Sequence, residues 1–256
     1  MLRNDWRKHE LVIALNLYWK IPYNKISGSS NSQIKEVAAI IGRSAGALAY
    51  KLMNFTSLDF ERQGAGNKGK SAASSMDKEV WNEYFGQWEK LAFDSFIFLS
   101  NIQNVPIEKG LEAENELQFV EGREKERIVK TRVNQNDFRQ RILASYNEKC
   151  CITGISITSL LVASHILPWS RNERERLNPR NGICLNNIHD KAFDRGLITI
   201  TTDFKVKLSD VILKKKMELN IQKFFIEYEN RSIILPQRFT PSLEFLEYHN
   251  NNIFNK

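Results

Sequence analysis

The first hundred residues carry hydrophobic positions at the spacing of amphipathic helices. Apolar side chains recur three and four residues apart in four segments, at residues 5–20, 32–42, 44–55 and 77–99. Asn31 or Ser32 is suited to cap the second segment, and Gly42 is suited to end it. This pattern predicts an all-α N-terminal domain over residues 1–100.

The pattern changes twice after residue 100. Residues 101–126 are rich in Glu and show little periodicity, which is typical of an acidic linker. Beyond them, short helical and β-type segments alternate. The predicted helices are 134–146, 187–193, 212–228 and the end of the chain, and the predicted strands are 159–166, 182–185, 197–208 and a run near residue 232. This alternation predicts an α+β domain over residues 127–256.

Composition places the chain among globular proteins of the soluble class. Of its 256 residues, 42% are hydrophobic and 26% are charged, and no apolar run reaches the length of a membrane span. The three cysteines are too few for a disulfide framework. We therefore expect a cytoplasmic protein that has no membrane partner.

The net charge of +7 is unevenly distributed along the chain. It is +3 over residues 1–100, −4 over residues 101–126 and +8 over residues 127–256. A basic surface attracts polyanions by releasing their counterions, whatever the base sequence. The charge therefore favours a nucleic-acid partner, although an ordinary solvated Lys and Arg surface has the same composition.

Two of the four histidines lie in segments that are rich in other polar side chains. His165 stands in ASHILPW, and His189 stands in RNGICLNNIHDKAFDRG together with two aspartates. Histidine titrates near neutral pH and can act as a general base, and carboxylates bind hard divalent cations. Asp190 and Asp194 are four residues apart, so a helix would carry both on one face, whereas His189 would lie about 100° away from Asp190.

These segments resemble the active-site motif of HNH endonucleases, in the bacterial subgroup that reads roughly HI-PW, NP-NG--L and HD--FD-G. The resemblance covers roughly residues 140–250. It implies a ββα-metal fold with flanking helices, in which a β-hairpin and a helix hold one metal ion. It also implies that the protein hydrolyses phosphodiester bonds of DNA.

The resemblance implies a role for each residue of the motif. His165 would be the general base, and Asn181 would orient and polarise it. Asp190 and Asp194 would bind the metal, with His189 as the alternative ligand if the helix begins late. Oxygen ligands of this kind imply Mg²⁺ or Mn²⁺.

Two departures from the motif bear on these roles. Many HNH sites have an Asp or His ligand directly before the base, where this chain has Ser164, so an impaired site stays open as an interpretation. Some HNH proteins hold a structural zinc ion with two C-x-x-C pairs. Cys151 and Cys184 each lack the second cysteine of such a pair, so no structural zinc is expected.

Two groups of basic residues are candidates for contacts with double-stranded DNA. Four arginines precede Asn181, namely Arg171, Arg174, Arg176 and Arg180. In the N-terminal part, residues 32–42 and 44–55 have the outline of a helix-turn-helix, whose second helix would present Arg43 and Lys51. A solvated loop and an ordinary helical bundle are the respective alternatives.

The combined expectation is a metal-dependent DNA endonuclease with an N-terminal recognition domain, which suggests a bacterial restriction or defence role. Two alternatives stay open, a nucleic-acid-binding module with an impaired nuclease site and a mobile-element nicking enzyme. A single HNH site usually cuts one strand. Double-strand cleavage would therefore imply a homodimer or repeated nicking.

Overall fold

The chain divides into two compact units, Met1–Arg141 and Ile142–Lys256. The computed structural model describes residues 5–64, 73–105, 122–168, 171–172 and 175–255. The predicted border at residue 126 falls inside a helix, Gly122–Ser145, which continues without a break through that position. Most of the predicted linker, residues 106–121, lies outside the described residues. The functions assigned to the two parts stay predictions.

Helices make up most of the described part of the first unit. They are α1 (Lys8–Lys20), α2 (Ser32–Ile40), α3 (Ala45–Phe55), α4 (Phe60–Gly64), α5 (Ser75–Tyr84), α6 (Trp88–Gln103) and most of α7 (Gly122–Ser145). Every residue of α1 from Glu10 to Trp19 is buried. A helix that is apolar on nearly all sides is covered on all sides. Accordingly, α1 packs against α3, α5 and α6 and forms the core of the unit.

Two helices, α2 and α3, lie where the sequence predicts the helix-turn-helix. The Asn31 side chain caps α2 by accepting a hydrogen bond from the backbone N–H of Ile34 (3.0 Å), and the Ser44 hydroxyl accepts from Ala47 (3.2 Å). Gly42, in the turn, has a φ of +68°, which glycine adopts without steric cost. The helix-turn-helix arrangement and its role in DNA recognition stay predictions.

The fourth predicted helix, residues 77–99, is wrong as a single element. It is observed as α5 and α6, which are separated at Gly86, where φ is +81°. The aromatic periodicity continued across the break because both helices pack on Trp19. The ring centroid of Trp19 lies 5.1 Å from that of Trp81 and 5.6 Å from that of Trp88.

A β-hairpin followed by a helix lies at the centre of the second unit. Strand β1 (Leu161–His165) pairs antiparallel with β2 (Gly182–Asn186), which places His165 opposite Gly182. Helix α8 (Asn187–Asp194) begins directly after β2 and packs against both strands. The two strands thus bring motif residues that are far apart in sequence to the same end of the hairpin.

The predicted strand over residues 197–208 is wrong as one element. It is a second hairpin, of β3 (Ile198–Ile200) and β4 (Val206–Leu208). The chain turns between them because the backbone N–H of Thr201 donates to the carbonyl of Lys205 (2.8 Å), which closes a tight loop. Alternating residues on two short strands give the same pattern as one long strand.

The predicted helix over residues 212–228 is also wrong. Two short α-helices, α9 (Asp210–Leu213) and α10 (Leu219–Phe224), stand there, and a 3₁₀ helix follows at Ile226–Tyr228. Residues 214–220 are exposed, so no buried face supports a continuous helix. The predicted strand near residue 232 is reduced to one β-bridge, between Lys205 and Ser232.

The last predicted helix is observed as α11 (Leu243–Asn252). Its Leu246 and His249 are buried, so the helix is packed into the second unit. Within the described part of the chain, no helix is both long and apolar enough to cross a membrane.

Candidate active site

The first hairpin and α8 bring three of the predicted site residues to one cavity. His165, at the end of β1, lines a cavity of about 480 Å³ together with Asp190 and Asp194 of α8. The two aspartates are four residues apart, so their carboxylates leave the same face of the helix. Other residues that line the cavity include Ser164 on β1, His249 on α11 and Ile253 directly after it.

The hydrogen bond of His165 determines which ring nitrogen carries the proton. Nε2 lies 2.9 Å from the backbone carbonyl oxygen of Arg176. A carbonyl oxygen only accepts, so Nε2 donates, and Nδ1 is the basic nitrogen of the neutral ring. Burial lowers the pKa of His165 below 6.5, and the bond to Arg176 offsets only part of that effect. The ring is therefore neutral near pH 7, as a general base must be.

Asn181 is buried and anchors the stretch of chain between the two strands. Its side-chain oxygen accepts from the backbone N–H of Leu167 (2.7 Å), and its amide nitrogen donates to the carbonyls of Leu167 (3.2 Å) and Glu175 (3.1 Å). Leu167 lies just after His165, and Glu175 precedes Arg176. The contacts of Asn181 thus hold the backbone beside the ring and beside its carbonyl partner.

The carboxyl group of Asp194 on α8 responds to its burial and to the neighbouring Asp190. The pKa of Asp194 is raised above 3.8, first by burial of its carboxyl group and second by the negative charge of Asp190. Lys191 and Arg195 act in the opposite direction without cancelling the rise. A pair of carboxylates that disfavour each other's charge is stabilised by a cation placed between them.

His189 is packed in the interior and does not line the cavity. The side-chain oxygen of Asn186 caps α8, so the amide nitrogen of Asn186 faces Nδ1 of His189 at 2.9 Å and donates to it. Nε2 therefore carries the proton and donates to the carbonyl of Phe224 (2.8 Å). Both ring nitrogens have partners, so this structure does not bring the alternative ligand to the aspartate pair.

The donor atoms around the cavity suit a hard cation that takes further ligands from outside the chain. Among the described residues, no cluster of three or more His, Cys, Asp or Glu side chains could hold a metal ion. Asp190 and Asp194 bring two carboxylates to the cavity, and carboxylate oxygens are ligands that hard cations prefer. Ser164 is buried, and its hydroxyl has no hydrogen-bond partner within the described structure.

The four arginines before Asn181 have different surroundings. Arg171 and Arg180 are exposed, and Nη1 of Arg180 donates to the carbonyl of Thr240 (3.1 Å). Arg176 is half-buried, and its carbonyl holds the ring of His165. Arg174 lies outside the described residues. Two of the four are therefore described at the surface, where phosphates could reach them.

In the first unit, Arg43 is engaged within the protein. Its guanidinium group donates to both carboxylate oxygens of Glu10 (2.9 and 2.8 Å) and lies 4.7 Å from the centroid of the Trp6 ring. A bidentate pair of this kind fixes the guanidinium plane. The structure thus differs from the predicted arrangement, in which Arg43 extended toward a DNA groove.

Lys51 is not on the surface that the sequence predicts for it. Its side chain is 9% exposed, and Nζ contacts both carboxylate oxygens of Asp77 (2.9 and 3.0 Å), whose side chain is fully buried. A lysine enters the interior only when its charge is paired. Lys51 therefore contributes to the packing of α3 on α5 and is not presented to a ligand.

Two contributions to the cavity were missed by sequence reasoning. The carbonyl of Arg176 sets the tautomer of His165, and a backbone group leaves no residue-type signal in a sequence. His249 lies 84 residues after His165 in the printed sequence and lines the same cavity.

Comparison with known proteins agrees with the motif. The family model described as HNH endonuclease matches residues 150–201. This segment contains β1, β2, α8 and β3, and with them His165, Asn181, Asp190 and Asp194. No curated protein matches the chain. Over residues 150–201, this chain is therefore similar to the HNH endonuclease family.

Proposed function

We propose that this protein is a metal-dependent DNA endonuclease. The observation that carries the proposal is the single cavity lined by His165, Asp190 and Asp194. Hydrolysis of a phosphodiester needs a base for the attacking water and positive charge at the phosphate. A neutral imidazole beside two carboxylates provides the base and a place for a cation. The family match over residues 150–201 supports the same reaction.

His165 acts as the general base through Nδ1. Nε2 donates to the Arg176 carbonyl, so the proton of the water is taken at the other nitrogen. Once Nδ1 is protonated, the same carbonyl stabilises the imidazolium, because a hydrogen bond from a charged donor is stronger than one from a neutral donor. Asn181 supports this arrangement by holding the carbonyl of Glu175, one residue before Arg176.

Asp190 and Asp194 hold one divalent cation, Mg²⁺ or Mn²⁺. When bound, the cation neutralises charge on the scissile phosphate and on the leaving oxygen. The two carboxylates provide negative charge on one helix face. Burial and the charge of Asp190 together raise the pKa of Asp194, so a cation at this face is favoured. Lys191 and Arg195 limit this rise in pKa in the absence of the cation.

Double-stranded DNA is the proposed substrate. Residues 127–256 carry a net charge of +8, which attracts a polyanion. Arg171 and Arg180 are exposed between β1 and the start of β2, in the stretch that Asn181 anchors. We assign them to the phosphate backbone. Arg174 and Arg176 belong to the same basic stretch.

We further propose a bacterial restriction or defence role, in a cytoplasmic protein whose first unit recognises DNA. The exposed face of α3 carries Gly46 and Ala47 beside Tyr50, and such small side chains permit close approach to a groove. Arg43 and Lys51 are not assigned to this face, because Glu10 and Asp77 engage them. Cleavage of both strands would use a homodimer in which each site cuts one strand.

A second candidate function is a nucleic-acid-binding module with an impaired nuclease site. It is favoured by Ser164, a buried hydroxyl directly before His165, at a position where HNH sites often supply a metal ligand. With two carboxylates at the cavity among the described residues, metal affinity would be too low for turnover. DNA affinity would then remain without cleavage.

Nicking of supercoiled plasmid tests the two candidates. The wild-type protein should convert plasmid to nicked or linear forms with Mg²⁺ or Mn²⁺ and should stop when EDTA is added. His165→Ala should lower the rate by ~10²–10⁴-fold, the usual worth of a general base, with unchanged DNA affinity. His9→Ala, which removes a histidine of the first unit, is the matched control and should cut normally. Binding by the wild-type protein without nicking would favour the impaired module.

A further inference from the structure

The C-terminal helix brings another histidine to the wall of the cavity. His249 lies on α11, outside the segment that matches the family model. It is 1% exposed and lines the same cavity as His165, Asp190 and Asp194. None of the roles assigned to the motif accounts for it.

His249 contacts the last turn of α8 in two ways. Its ring stacks on that of Phe193, with centroids 3.7 Å apart and planes inclined by 12°. Nε2 lies 3.2 Å from the carbonyl oxygen of Phe193, which only accepts, so Nε2 donates. Phe193 directly precedes Asp194. Both contacts therefore restrain the turn that carries this carboxylate.

The other edge of the ring is attached to β3. Nδ1 lies 2.8 Å from the hydroxyl of Thr199, which can donate to it. The same hydroxyl lies 2.9 Å from Oδ1 of Asn250, so its single proton is shared between two acceptors on α11. The imidazole thus has a partner at each nitrogen, and its orientation against Phe193 is defined by two elements.

The chain after α11 holds the residues that follow α8. The side-chain nitrogen of Asn255 donates to the carbonyl of Arg195 (2.8 Å), and its backbone N–H donates to that of Gly196 (2.9 Å). A Cβ atom on Gly196 would lie 2.1 Å from the carbonyl oxygen of Ile253. The chain therefore crosses directly over the end of α8, and Ile253 itself lines the cavity.

We propose that His249 is a positioning residue for Asp194, and that the segment from α11 to Asn255 completes the active site from outside the family segment. This inference rests on the proposed function, because it takes Asp194 as a metal ligand. A site with two carboxylates from the chain depends on their being held ready for the ion, since ordering a loose turn opposes binding. His249 supplies that order through Phe193.

Binding of Mn²⁺ alone, measured by calorimetry on the full chain without DNA, tests the inference. His249→Phe keeps a ring that can stack but removes the donor to the Phe193 carbonyl, and it should raise the Kd for Mn²⁺ by ~10-fold. His249→Gln keeps an N–H donor and should recover part of the affinity. Asn251→Ala, at an exposed position of the same helix, is the matched control and should bind as the wild type does.

Plasmid nicking provides the second measurement. In His249→Phe, the Mg²⁺ concentration for half-maximal rate should rise by the same factor as the Kd, with a smaller change in the rate at saturating metal. A residue that merely fills space predicts the opposite order, with Phe preserving affinity better than Gln because its shape is closer to histidine. That order, or wild-type affinity in both variants, would overturn the inference.

Two further outcomes are separable. If the His249 variants do not fold, as judged by thermal melting, Asn255→Ala tests the same segment through an exposed side chain. It should also raise the Kd, and an unchanged Kd would overturn the inference. If the wild-type protein binds Mn²⁺ and cuts DNA, and the variants do so equally well, only the proposed role of His249 is overturned. If the wild-type protein neither binds Mn²⁺ nor cuts DNA, the proposed function is overturned as well.

Discussion

Each histidine of the motif donates from Nε2 to a backbone carbonyl. The carbonyl of Arg176 accepts from Nε2 of His165, and that of Phe224 accepts from Nε2 of His189. The Nδ1 atom of His189 also accepts a hydrogen bond, from Asn186 inside the protein, whereas His165 lies at the cavity wall. At the scale of single residues, position at the cavity wall therefore separates the proposed base from a packed side chain.

The pH dependence of cleavage should reflect His165. The pKa of His165 lies below 6.5, so Nδ1 becomes protonated, and can no longer act as a base, only as pH falls below that value. At saturating metal, the rate should be level above pH 6.5 and should decline on the acid side, as measured by nicking from pH 4.5 to 8. An acid limb centred above pH 7 would contradict the assignment.

Folding must be followed in the same pH series. Burial lowers the pKa of His249 from 6.5 to about 4, so the unfolded chain binds this proton more readily than the folded chain does. The resulting stabilisation is present above pH 6.5 and is lost as pH falls toward 4. Circular dichroism at each pH separates this loss of structure from protonation of the base.

Asp194→Asn should separate metal binding from stability. The pKa of Asp194 is raised in the folded protein, so its charge opposes folding at neutral pH and its removal should leave the melting temperature unchanged or higher. The Mg²⁺ concentration for half-maximal nicking should rise by at least ~10-fold. Asp203→Asn, which removes an exposed carboxylate of the same unit, is the control. A lower melting temperature with an unchanged metal requirement would point to a structural carboxylate.

At the scale of elements, α8 is defined by the residues at its two ends. Asn186 begins it by accepting from the backbone N–H groups of Ile188 and His189, and Gly196 follows its end with a φ of +67°. The cap at the N-terminus of α8 is a local signal, because an Asn at this position can be recognised from the sequence alone. At the C-terminus of α8, Gly196 is also a local signal, because glycine commonly follows the end of a helix. It is required by close packing as well, since the carbonyl of Ile253 occupies the space that a Cβ atom on Gly196 would need.

Comparison of two glycine variants should measure that packing. Gly154→Ala places alanine at a φ of +74° with only an ordinary contact, to Ile234 at 3.7 Å, and should cost about 1–2 kcal/mol for the left-handed backbone. Gly196→Ala carries the same backbone cost and also displaces the chain at Ile253. Urea unfolding should give a clearly larger loss of unfolding free energy for Gly196→Ala. Equal losses would show that the chain after α11 adapts easily.

At the scale of the whole molecule, the net charge differs from the charge that DNA phosphates can reach. The chain carries +7, yet Arg43 and Lys51 are engaged by Glu10 and Asp77 within the first unit. Basic residues count toward DNA binding only where a phosphate can reach them. A charge summed over a domain therefore overstates the surface that is available.

The salt dependence of DNA binding should make this difference measurable. With EDTA present to prevent cutting, affinity for duplex DNA should fall as salt rises, and Arg171→Ala should reduce the slope of log K against log salt by about 1. Arg180→Ala should act similarly. Arg43→Ala should leave the slope unchanged, because this arginine is paired with Glu10. A reduced slope in Arg43→Ala, with folding intact, would indicate that Arg43 in the first unit contacts DNA.

By itself, the sequence determined the local features of this protein. The cap of α2 at Asn31 or Ser32, the helical stripes of α2 and α3, and the HNH motif depend on neighbours within a few residues, so pattern and residue type reveal them. The four-residue spacing of Asp190 and Asp194 was sufficient to place them on one helix face.

Only the tertiary structure decided which partners those residues meet. The Arg176 carbonyl at His165, the burial of Lys51 against Asp77 and the arrival of His249 at the cavity all join positions that are far apart in the chain. Such contacts leave no period in the sequence, and a paired lysine and a solvated lysine are written with the same letter. Their physical origin is the burial of charge and polar groups, which requires a partner but does not specify where along the chain that partner lies.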